Sequence, residues 1–282
     1  MKKKAFIFGA DMLGKILLPR IESEYDVIGF LDNGHKKIAG GGVKFNYPIY
    51  NPDKCLEMDF DTVIIATVSG LEAVTAQLLS MGVKPSKIVK DMVTLHIRSR
   101  ICFLEDLGVL FKQRDIHGCV AEGGVFRGDF AKEINRVFYN SRLFLFDTFE
   151  GFSDKDTKHE KDYSFSEYGA GHFSATSEEL VIGKLPYPEN CVICKGYFPE
   201  TTKGLPDESF CFVNLDFDLY QPILAGLEYF IPRMVPGGVI LIHDYYGEMF
   251  KGVKQAIEDY EKRNHKLSLF PIGDMISVGI MC

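Results

Sequence analysis

Acidic side chains stand just beyond two successive apolar stretches of this 282-residue chain. Asp216 and Asp218 follow the first stretch, and Asp244, preceded by His243, follows the second. The order strand, helix, strand brings both carboxyl ends to one edge of a parallel sheet. Because neighbouring strands lie about 4.8 Å apart, we expect Asp216 and Asp244 to share one divalent cation.

The predicted ligands of this cation are Asp216, His243 and Asp244. Oxygen ligands favour Mg²⁺, whereas an imidazole also admits Mn²⁺ or a later transition metal, so the cation is predicted to be Mg²⁺ or Mn²⁺. It would ease the loss of a proton from a substrate hydroxyl and hold that oxygen in line for attack. The alternative is that these carboxylates only cap the helices that follow them.

The side chain that accepts the substrate proton has several candidates. Asp216 itself and Asp218, two residues further along, are two of them. His172 is a third and His159 a fourth, because histidine titrates near neutrality. Both lie in the polar segment 153–179, which we expect to be a structureless lid over the substrate, since insertions of this length are usually functional or disordered.

A glycine-containing loop follows the first strand of the second half of the chain, in the order Glu122-Gly-Gly-Val-Phe-Arg-Gly128. Glycines let the backbone approach a ligand that a β-carbon would obstruct. A loop led by a carboxylate suits S-adenosylmethionine (SAM), which has a cationic amino group and no phosphate. The next strand ends at Asp147, at a separation typical of an acceptor for ribose hydroxyls. The predicted cofactor-binding residues are Glu122, Gly124, Gly128, Asp147 and Thr148, although tight helix packing and helix capping are alternatives for these residue types.

These residues depend on an α/β framework. Both halves alternate short apolar strands with amphipathic helices, the pattern of parallel sheets covered on both faces. We expect a small Rossmann-like domain over residues 1–92, a helical connector over 93–115 and a larger Rossmann-like domain over 116–282.

The larger domain contains further predicted elements. A helix over 222–234 and a turn at 236–238 are expected between the two aspartate-bearing strands. The apolar stretches 267–270 and 276–281 suit a terminal antiparallel hairpin on the parallel sheet.

The first half has its own glycine loop, from Gly9 to Gly14, followed by a glycine-rich excursion at 40–42. Asp11 stands where a dinucleotide site has its second glycine, and a carboxylate there repels pyrophosphate. Asp32 keeps the ribose-acceptor position. We therefore favour a degenerate domain, used for packing, partner contact or recognition of a sugar nucleotide, over an NAD site.

Composition narrows the class of protein. The net charge is −7, and residues 1–90 carry 12 Lys and Arg against 10 Asp and Glu, so the acidic excess lies in the remainder and a nucleic-acid groove is not expected. Neither a bilayer-spanning run nor a signal-peptide pattern is found. The seven cysteines are scattered, and Cys191 and Cys194 would face opposite sides of one strand, so reduced thiols in a cytoplasmic protein are expected.

In these motifs the chain resembles the macrocin O-methyltransferase family, from about residue 100 to 282. The resemblance implies a class I SAM-dependent methyltransferase fold, Asp147 on the ribose and Mg²⁺ at the strand edge. The family pattern has two aspartates where this chain has His243 and Asp244, which leaves Asp216 and Asp244 as the firmer ligands. The first half resembles the N-terminal nucleotide-fold domains of sugar-modifying acyltransferases. The matching segments are 122–128, 146–152, 195–199, 215–220, 236–238 and 243–245.

The leading hypothesis is a SAM- and divalent-metal-dependent O-methyltransferase acting on a sugar or polyol hydroxyl of a polysaccharide or natural-product glycoside. The expected partner is a small-molecule or glycoside substrate. The sequence does not decide between a monomer and a homo-oligomer. An NAD(P)-dependent or sugar-nucleotide-binding enzyme, working through Gly9, Gly14 and Asp32, is the alternative. A catalytically silent ion-binding module is a third hypothesis, which the ordered set of carboxylates disfavours.

Overall fold

The computed structural model describes residues 2–34, 46–67 and 70–282. The chain forms two compact units, Met1–Ser99 and Arg100–Cys282. This division falls inside the segment 93–115 that was expected to connect the domains. The glycine-rich excursion at 40–42 lies outside the described residues.

The first unit contains a parallel sheet in the order β3-β2-β1-β4-β5. This is a doubly wound arrangement that starts in the middle of the sheet and extends to both sides. Gly82, at φ +89°, lies just beyond helix α2 (Leu71–Ser80), where a glycine commonly ends a helix. The elements are β1 (Lys3–Phe8), α1 (Met12–Ile21), β2 (Tyr25–Leu31), β3 (Ile49–Tyr50), β4 (Thr62–Ile65), α2 (Leu71–Ser80), β5 (Ile88–Val89) and the start of α3 (Asp91–Arg114).

The second unit contains a seven-stranded sheet in the order β11-β12-β10-β9-β6-β7-β8. The five strands from β10 to β8 in that order are parallel, while β12 is antiparallel to both β10 and β11. The predicted parallel sheet with a terminal antiparallel hairpin is therefore confirmed. The elements after α3 are β6 (Cys119–Gly123), α4 (Asp129–Val137), β7 (Leu143–Asp147), α5 (Asp154–Asp162), α6 (Glu178–Ile182), β8 (Cys191–Lys195), β9 (Phe210–Leu215), α7 (Tyr220–Phe230), β10 (Met234–Ile242), α8 (Lys251–Arg263), β11 (Ser268–Pro271) and β12 (Val278–Met281).

Both faces of this sheet are covered by apolar side chains. Strand β7 shows the pattern, because Leu143 and Leu145 join one hydrophobic group while Phe144 and Phe146 join the other. Alternate residues of a strand point to opposite faces, and strands buried on both faces read as continuous apolar runs. The polar residues beyond the strand ends are thus the places where this unit can present chemistry.

The cysteine pair on β8 follows the same rule. Cys191 packs against the group that holds Leu143, and Cys194 is buried in the group that holds Phe144. The two thiols therefore face opposite sides of the sheet, as predicted. All seven cysteines are free.

Two details of the predicted elements were wrong. Pro236, Gly237 and Gly238 do not form a turn before the strand, because β10 already begins at Met234 and includes them. The pairing of β10 with β9 shifts register between Met234 and Val239, and Gly237 has φ +80°. Glycine and proline in a strand commonly mark such an irregularity.

The segment 153–179 is not structureless either, since it contains helix α5. Ser153 caps this helix by accepting a hydrogen bond from the backbone N–H of Asp156.

Within the described residues, no helix combines the length and the apolar character that crossing a bilayer requires.

Candidate functional site

The structure brings the three predicted metal ligands together. Strands β9 and β10 are parallel neighbours with Leu215 opposite Ile242, so the residues that follow each strand are adjacent. Ligand atoms of Asp216, His243 and Asp244 all lie within 4.8 Å of one another. The Nδ1 atom of His243 is 3.0 Å from Oδ1 of Asp216 and 3.1 Å from Oδ2 of Asp244. We call these three residues the cation cluster.

The donor atoms of the cation cluster fit a divalent cation. Nδ1 of His243 and Oδ1 of Asp244 are buried and have no hydrogen-bond partner. Although Nδ1 is near two carboxylate oxygens, neither contact has the geometry of a hydrogen bond. Buried polar atoms nearly always have partners, and an ion between the three side chains would satisfy these atoms.

Burial and neighbouring charges act in opposite directions on the pKa values of Asp216 and His243. Burial raises the pKa of Asp216, but the positive charges of His243 and Arg100 outweigh burial and hold that pKa below its usual value. Burial lowers the pKa of His243, while the two aspartates raise it, and the net result is a pKa of about 10. Metal binding to this imidazole therefore requires release of a proton.

Asp218, a candidate proton acceptor, belongs to the same group of carboxylates. Burial raises its pKa well above the usual value, and the charges of Asp244 and Asp216 raise it further. Asp218 and Asp244 have φ angles of 64° and 59°, a left-handed conformation that is uncommon outside glycine. Such backbone strain tends to collect at functional sites.

Arg100, which the sequence analysis did not identify, completes this group. It lies on α3, and its Nη2 atom donates hydrogen bonds of 3.0 Å to Oδ2 of Asp216 and to Oδ1 of Asn214. Its position is 116 residues from Asp216, and no motif spacing links the two. Only the helical pattern of α3 was visible in the sequence, and nothing there distinguished Arg100 from Arg98, Lys112 and Arg114 on the same helix.

The predicted cofactor loop packs directly on the cation cluster. Gly124 has φ +81°, and a β-carbon there would lie 2.0 Å from the backbone carbonyl oxygen of Asp216. A β-carbon on Gly128, at φ +74°, would lie 3.0 Å from Cγ1 of Val181, a milder contact with a side chain. Close packing thus requires glycine at 124, where it joins the loop to a predicted metal ligand, whereas at 128 the positive φ favours glycine.

Replacement of Gly124 by alanine is expected to destabilise the second unit by roughly 2–4 kcal/mol, since the new β-carbon meets backbone and φ is positive. Both S-adenosylhomocysteine (SAH) and Mn²⁺ should bind more weakly. Thermal unfolding and calorimetric titration measure these effects. Gly169→Ala is the matched control, because a β-carbon at Gly169 has open space around it. Equal stability of the two variants would contradict this account.

Asp147 stands at the end of β7, across from the cofactor loop. Its Oδ2 accepts hydrogen bonds from the backbone N–H groups of Val125 (2.7 Å) and Phe126 (2.9 Å), and its Oδ1 accepts one from Phe149 (2.7 Å). The carboxylate therefore shapes the loop. The hydroxyl of Thr148 donates to the carbonyl of Gly151 at 2.9 Å, so it stabilises the turn that follows.

Glu122 lies beneath the loop and is only 2% exposed. Its Oε1 accepts a 2.8 Å hydrogen bond from the side-chain amide of Asn214, and its buried Oε2 has no partner. Burial, followed by the negative charge of Asp216, raises the pKa of Glu122 well above its usual value. Glu122 is therefore withdrawn from the surface, beneath the loop that it was predicted to serve.

The segment 153–179, which we call the lid, is attached through α5 to residues that lie outside the strands of the sheet. Oδ1 of Asp156 accepts a 2.8 Å hydrogen bond from the hydroxyl of Tyr197. Oε1 of Glu160 accepts a 2.8 Å bond from the backbone N–H of Tyr220, the first residue of α7. This attachment lies two residues beyond Asp218.

His172, the third candidate proton acceptor, packs among aromatic rings of the lid and its surroundings. Its ring centroid is 4.3 Å from that of Tyr168, 4.2 Å from that of Phe173 and 5.7 Å from that of Phe152. Burial lowers its pKa. The structure thus gives His172 an aromatic environment, while Asp216 and Asp218 share the environment of the cation cluster.

The buried carboxyl of Glu160 should make stability depend on pH. Burial raises its pKa to about 7, with Asp156 adding to burial and the hydrogen bond from Tyr220 opposing it. Because the folded pKa exceeds the ordinary value of 4.5, the protonated form favours folding, and that stability is lost as the pH rises through about 7.

Glu160→Gln stays neutral and keeps an acceptor for Tyr220. The difference in free energy of unfolding between this variant and the wild type should therefore grow by roughly 2–3 kcal/mol, in favour of the variant, as the pH rises from 5 to 8.5. Urea unfolding at both pH values measures the gain. Asp162→Asn, on the exposed side of the same helix, should show no such trend. A gain for Glu160→Gln that does not change with pH would exclude this origin.

In the first unit, the residues of the alternative hypothesis are engaged by the chain itself. Asp32 accepts hydrogen bonds from the backbone N–H groups of Ala10 (2.9 Å) and Gly34 (2.6 Å), one on each oxygen. A β-carbon on Gly14 would lie 2.2 Å from the carbonyl oxygen of Gly9, so Gly14 is needed for close packing. Burial raises the pKa of Asp11.

Comparison with known proteins decides the family. Residues 87–279, about two thirds of the chain, match the family model of macrocin-O-methyltransferase (TylF). The chain belongs to the macrocin O-methyltransferase family. Residues 1–89, outside the main part of this match, are similar to the C2185-like N-terminal family.

Two curated proteins show the same family relationship. An 8-demethyl-8-(2,3-dimethoxy-alpha-L-rhamnosyl)-tetracenomycin-C 4'-O-methyltransferase of Streptomyces olivaceus is 27% identical over 158 residues, 52% of this chain and 59% of that protein. Mycinamicin III 3''-O-methyltransferase of Micromonospora griseorubida is 25% identical over 161 residues, 53% of this chain and 62% of that protein. The chain thus spans about three fifths of the length of these relatives.

A solved structure has a similar fold. The O-methyltransferase NovP superimposes with a TM-score of 0.53 and 22% sequence identity, over 65% of this chain and 79% of that chain. The class I methyltransferase fold predicted for the second unit is therefore confirmed.

Proposed function

We propose that this chain is a SAM-dependent O-methyltransferase that uses a divalent cation to methylate a hydroxyl of a sugar or polyol in a glycoside or polysaccharide. One observation carries the proposal. The cation cluster and the cofactor loop are in direct backbone contact, at Gly124 and Asp216. An acceptor oxygen held by the cluster would therefore lie beside a methyl donor held by the loop.

The family supports the acceptor class. Macrocin O-methyltransferases give the family its name, and one relative is described as a methyltransferase of a rhamnosyl-bearing tetracenomycin. A sugar hydroxyl is a weak nucleophile at neutral pH, so it needs help to lose its proton. When bound, a divalent cation supplies positive charge that makes this loss easier and fixes the orientation of the acceptor.

The side chains have distinct roles in this proposal. Asp216, His243 and Asp244 hold the cation. Asp218 is beside these ligands without being one of the three. The charge of a bound cation would offset the two aspartate charges that raise its pKa, so its carboxylate would then be able to take the hydroxyl proton. SAM bound at the loop would supply the activated methyl group for this hydroxyl, with SAH as the other product. The loop from Gly124 to Gly128, with Asp147 beside it, orients the donor.

Ligand-induced heat stability tests the proposed cofactor. SAH at 100 times its Kd should stabilise the protein by about 2.7 kcal/mol, a shift of several degrees in Tm, while NAD⁺ should give none. The first-unit variant Asp32→Asn serves as control and should respond to SAH as the wild type does. A shift with NAD⁺ and none with SAH would instead support the dinucleotide alternative.

A further inference from the structure

Arg100 connects the two halves of the candidate site. Its Nη2 atom donates to Oδ2 of Asp216 and to Oδ1 of Asn214, at 3.0 Å each. The amide nitrogen of Asn214 then donates to Oε1 of Glu122 at 2.8 Å. Asn214 and Glu122 are buried, at 0% and 2% exposure. A continuous polar chain therefore runs from a predicted metal ligand to the strand that leads into the cofactor loop.

The guanidinium group is held in a fixed position. It lies over the ring of Phe130, 3.9 Å from the centroid, and Phe130 belongs to α4, the helix that follows the cofactor loop. Stacking of this kind orients the planar group as well as attracting it. Nε of Arg100 is buried without a hydrogen-bond partner. The side chain thus makes its two Nη2 hydrogen bonds in an orientation that leaves Nε unsatisfied.

This contact divides the two oxygens of Asp216 between two tasks. Oδ2 accepts from Arg100, and Oδ1 lies 3.0 Å from Nδ1 of His243. A carboxylate without the first contact could rotate and turn either oxygen away from the cation cluster. Partners behind a metal ligand commonly fix its orientation in this way.

We infer that Arg100 is a positioning residue that turns one oxygen of Asp216 toward the cation cluster and ties this ligand, through Asn214, to Glu122 below the cofactor loop. The inference rests on the proposed use of a divalent cation. It assigns to α3 a role in the site, although this helix contributes none of the predicted ligands.

Two effects of Arg100 on a cation oppose each other. Its bond to Asp216 orients a ligand, whereas its positive charge repels a second cation nearby. A neutral replacement would change both effects at once. Arg100→Lys keeps the charge but loses the planar group that stacks on Phe130 and reaches two acceptors, so it isolates the positioning effect.

The test is a titration of purified protein with Mn²⁺, followed by electron paramagnetic resonance of free and bound Mn²⁺. Arg100→Lys should bind Mn²⁺ about tenfold more weakly or worse, and the spectrum of the bound ion should change because its ligand geometry changes. Phe130→Leu, which keeps Arg100 but removes the ring beneath it, should weaken binding about threefold. Arg114→Lys, at an exposed position of the same helix, should bind as the wild type does.

The outcomes separate the inference from the proposed function. Wild-type affinity and spectrum in both Arg100→Lys and Phe130→Leu would overturn the positioning role and leave metal use intact. No binding of Mn²⁺ by the wild type would overturn metal use and the positioning role with it. Circular dichroism checks the folding of each variant, and Phe130→Leu decides the question if Arg100→Lys does not fold.

Discussion

Asp216→Asn is expected to bind Mn²⁺ at least about 100-fold more weakly than the wild type and to lower kcat at least about 1000-fold on any glycoside that the wild type methylates. The amide cannot supply the charge that a hard cation requires of its ligands. Affinity for SAH should stay within about threefold, because the direct contacts of Asp216 with Gly123 and Gly124 are made by its backbone. Its N–H donates to the carbonyl of Gly123 at 2.7 Å, and its own carbonyl lies against Gly124.

Mn²⁺ titration, SAH calorimetry and transfer of a labelled methyl group from SAM measure these three quantities. Asp207→Asn is the matched control, since it makes the same chemical change at a side chain that is 93% exposed. Treatment of the wild type with a chelator should reproduce the loss of turnover, and added Mn²⁺ should restore it. Full activity in Asp216→Asn, or in chelated enzyme, would rule out the metal mechanism.

His243→Asp is expected to change which cation the protein prefers. An imidazole between two carboxylates favours Mn²⁺ and later transition metals over Mg²⁺, whereas three carboxylates form the hard oxygen site that suits Mg²⁺. We expect the wild type to bind Mn²⁺ at least about 100-fold more tightly than Mg²⁺ and the variant to narrow this ratio at least about tenfold.

Displacement of bound Mn²⁺ by Mg²⁺, followed by electron paramagnetic resonance, gives the ratio directly. His265→Asp, at an exposed position, controls for the added negative charge. The same preference in the wild type and in His243→Asp would show that the Nδ1 atom, 3.0 Å from Asp216, does not contribute to the choice of metal.

The main architecture was predictable because strands and helices each produce a characteristic spacing of apolar residues within a short segment of sequence. The apolar runs that end near Asp216 and Asp244 predicted two strands, and the general rule for parallel sheets predicted that their carboxyl ends would meet. The pairing of Leu215 with Ile242 shows the two strands side by side. The local signal failed at 236–238, where Pro and Gly suggested a turn but lie inside β10.

The lid and Arg100 show where a single sequence gives less information. Helix α5 has little apolar character, and it depends on a Ser153 cap and on buried carboxyls that find partners elsewhere in the fold. Arg100 meets Asp216 across 116 residues, and the side of α3 that faces the sheet is set by packing. Glu122 was predicted as a cofactor residue from its place in the loop, but its 2% exposure could not be read from that place.

The backbone contact between Gly124 and Asp216 limits how this scaffold can acquire new acceptors. Lengthening either segment by one residue would disturb both the proposed donor site and the proposed metal ligand, so the distance between these two sites is hard to alter by mutation. Variation among acceptors should therefore concentrate in segment 153–179, which is joined to the rest of the second unit by contacts such as the hydrogen bond between Asp156 and Tyr197. Libraries intended to change acceptor choice are best confined to that segment.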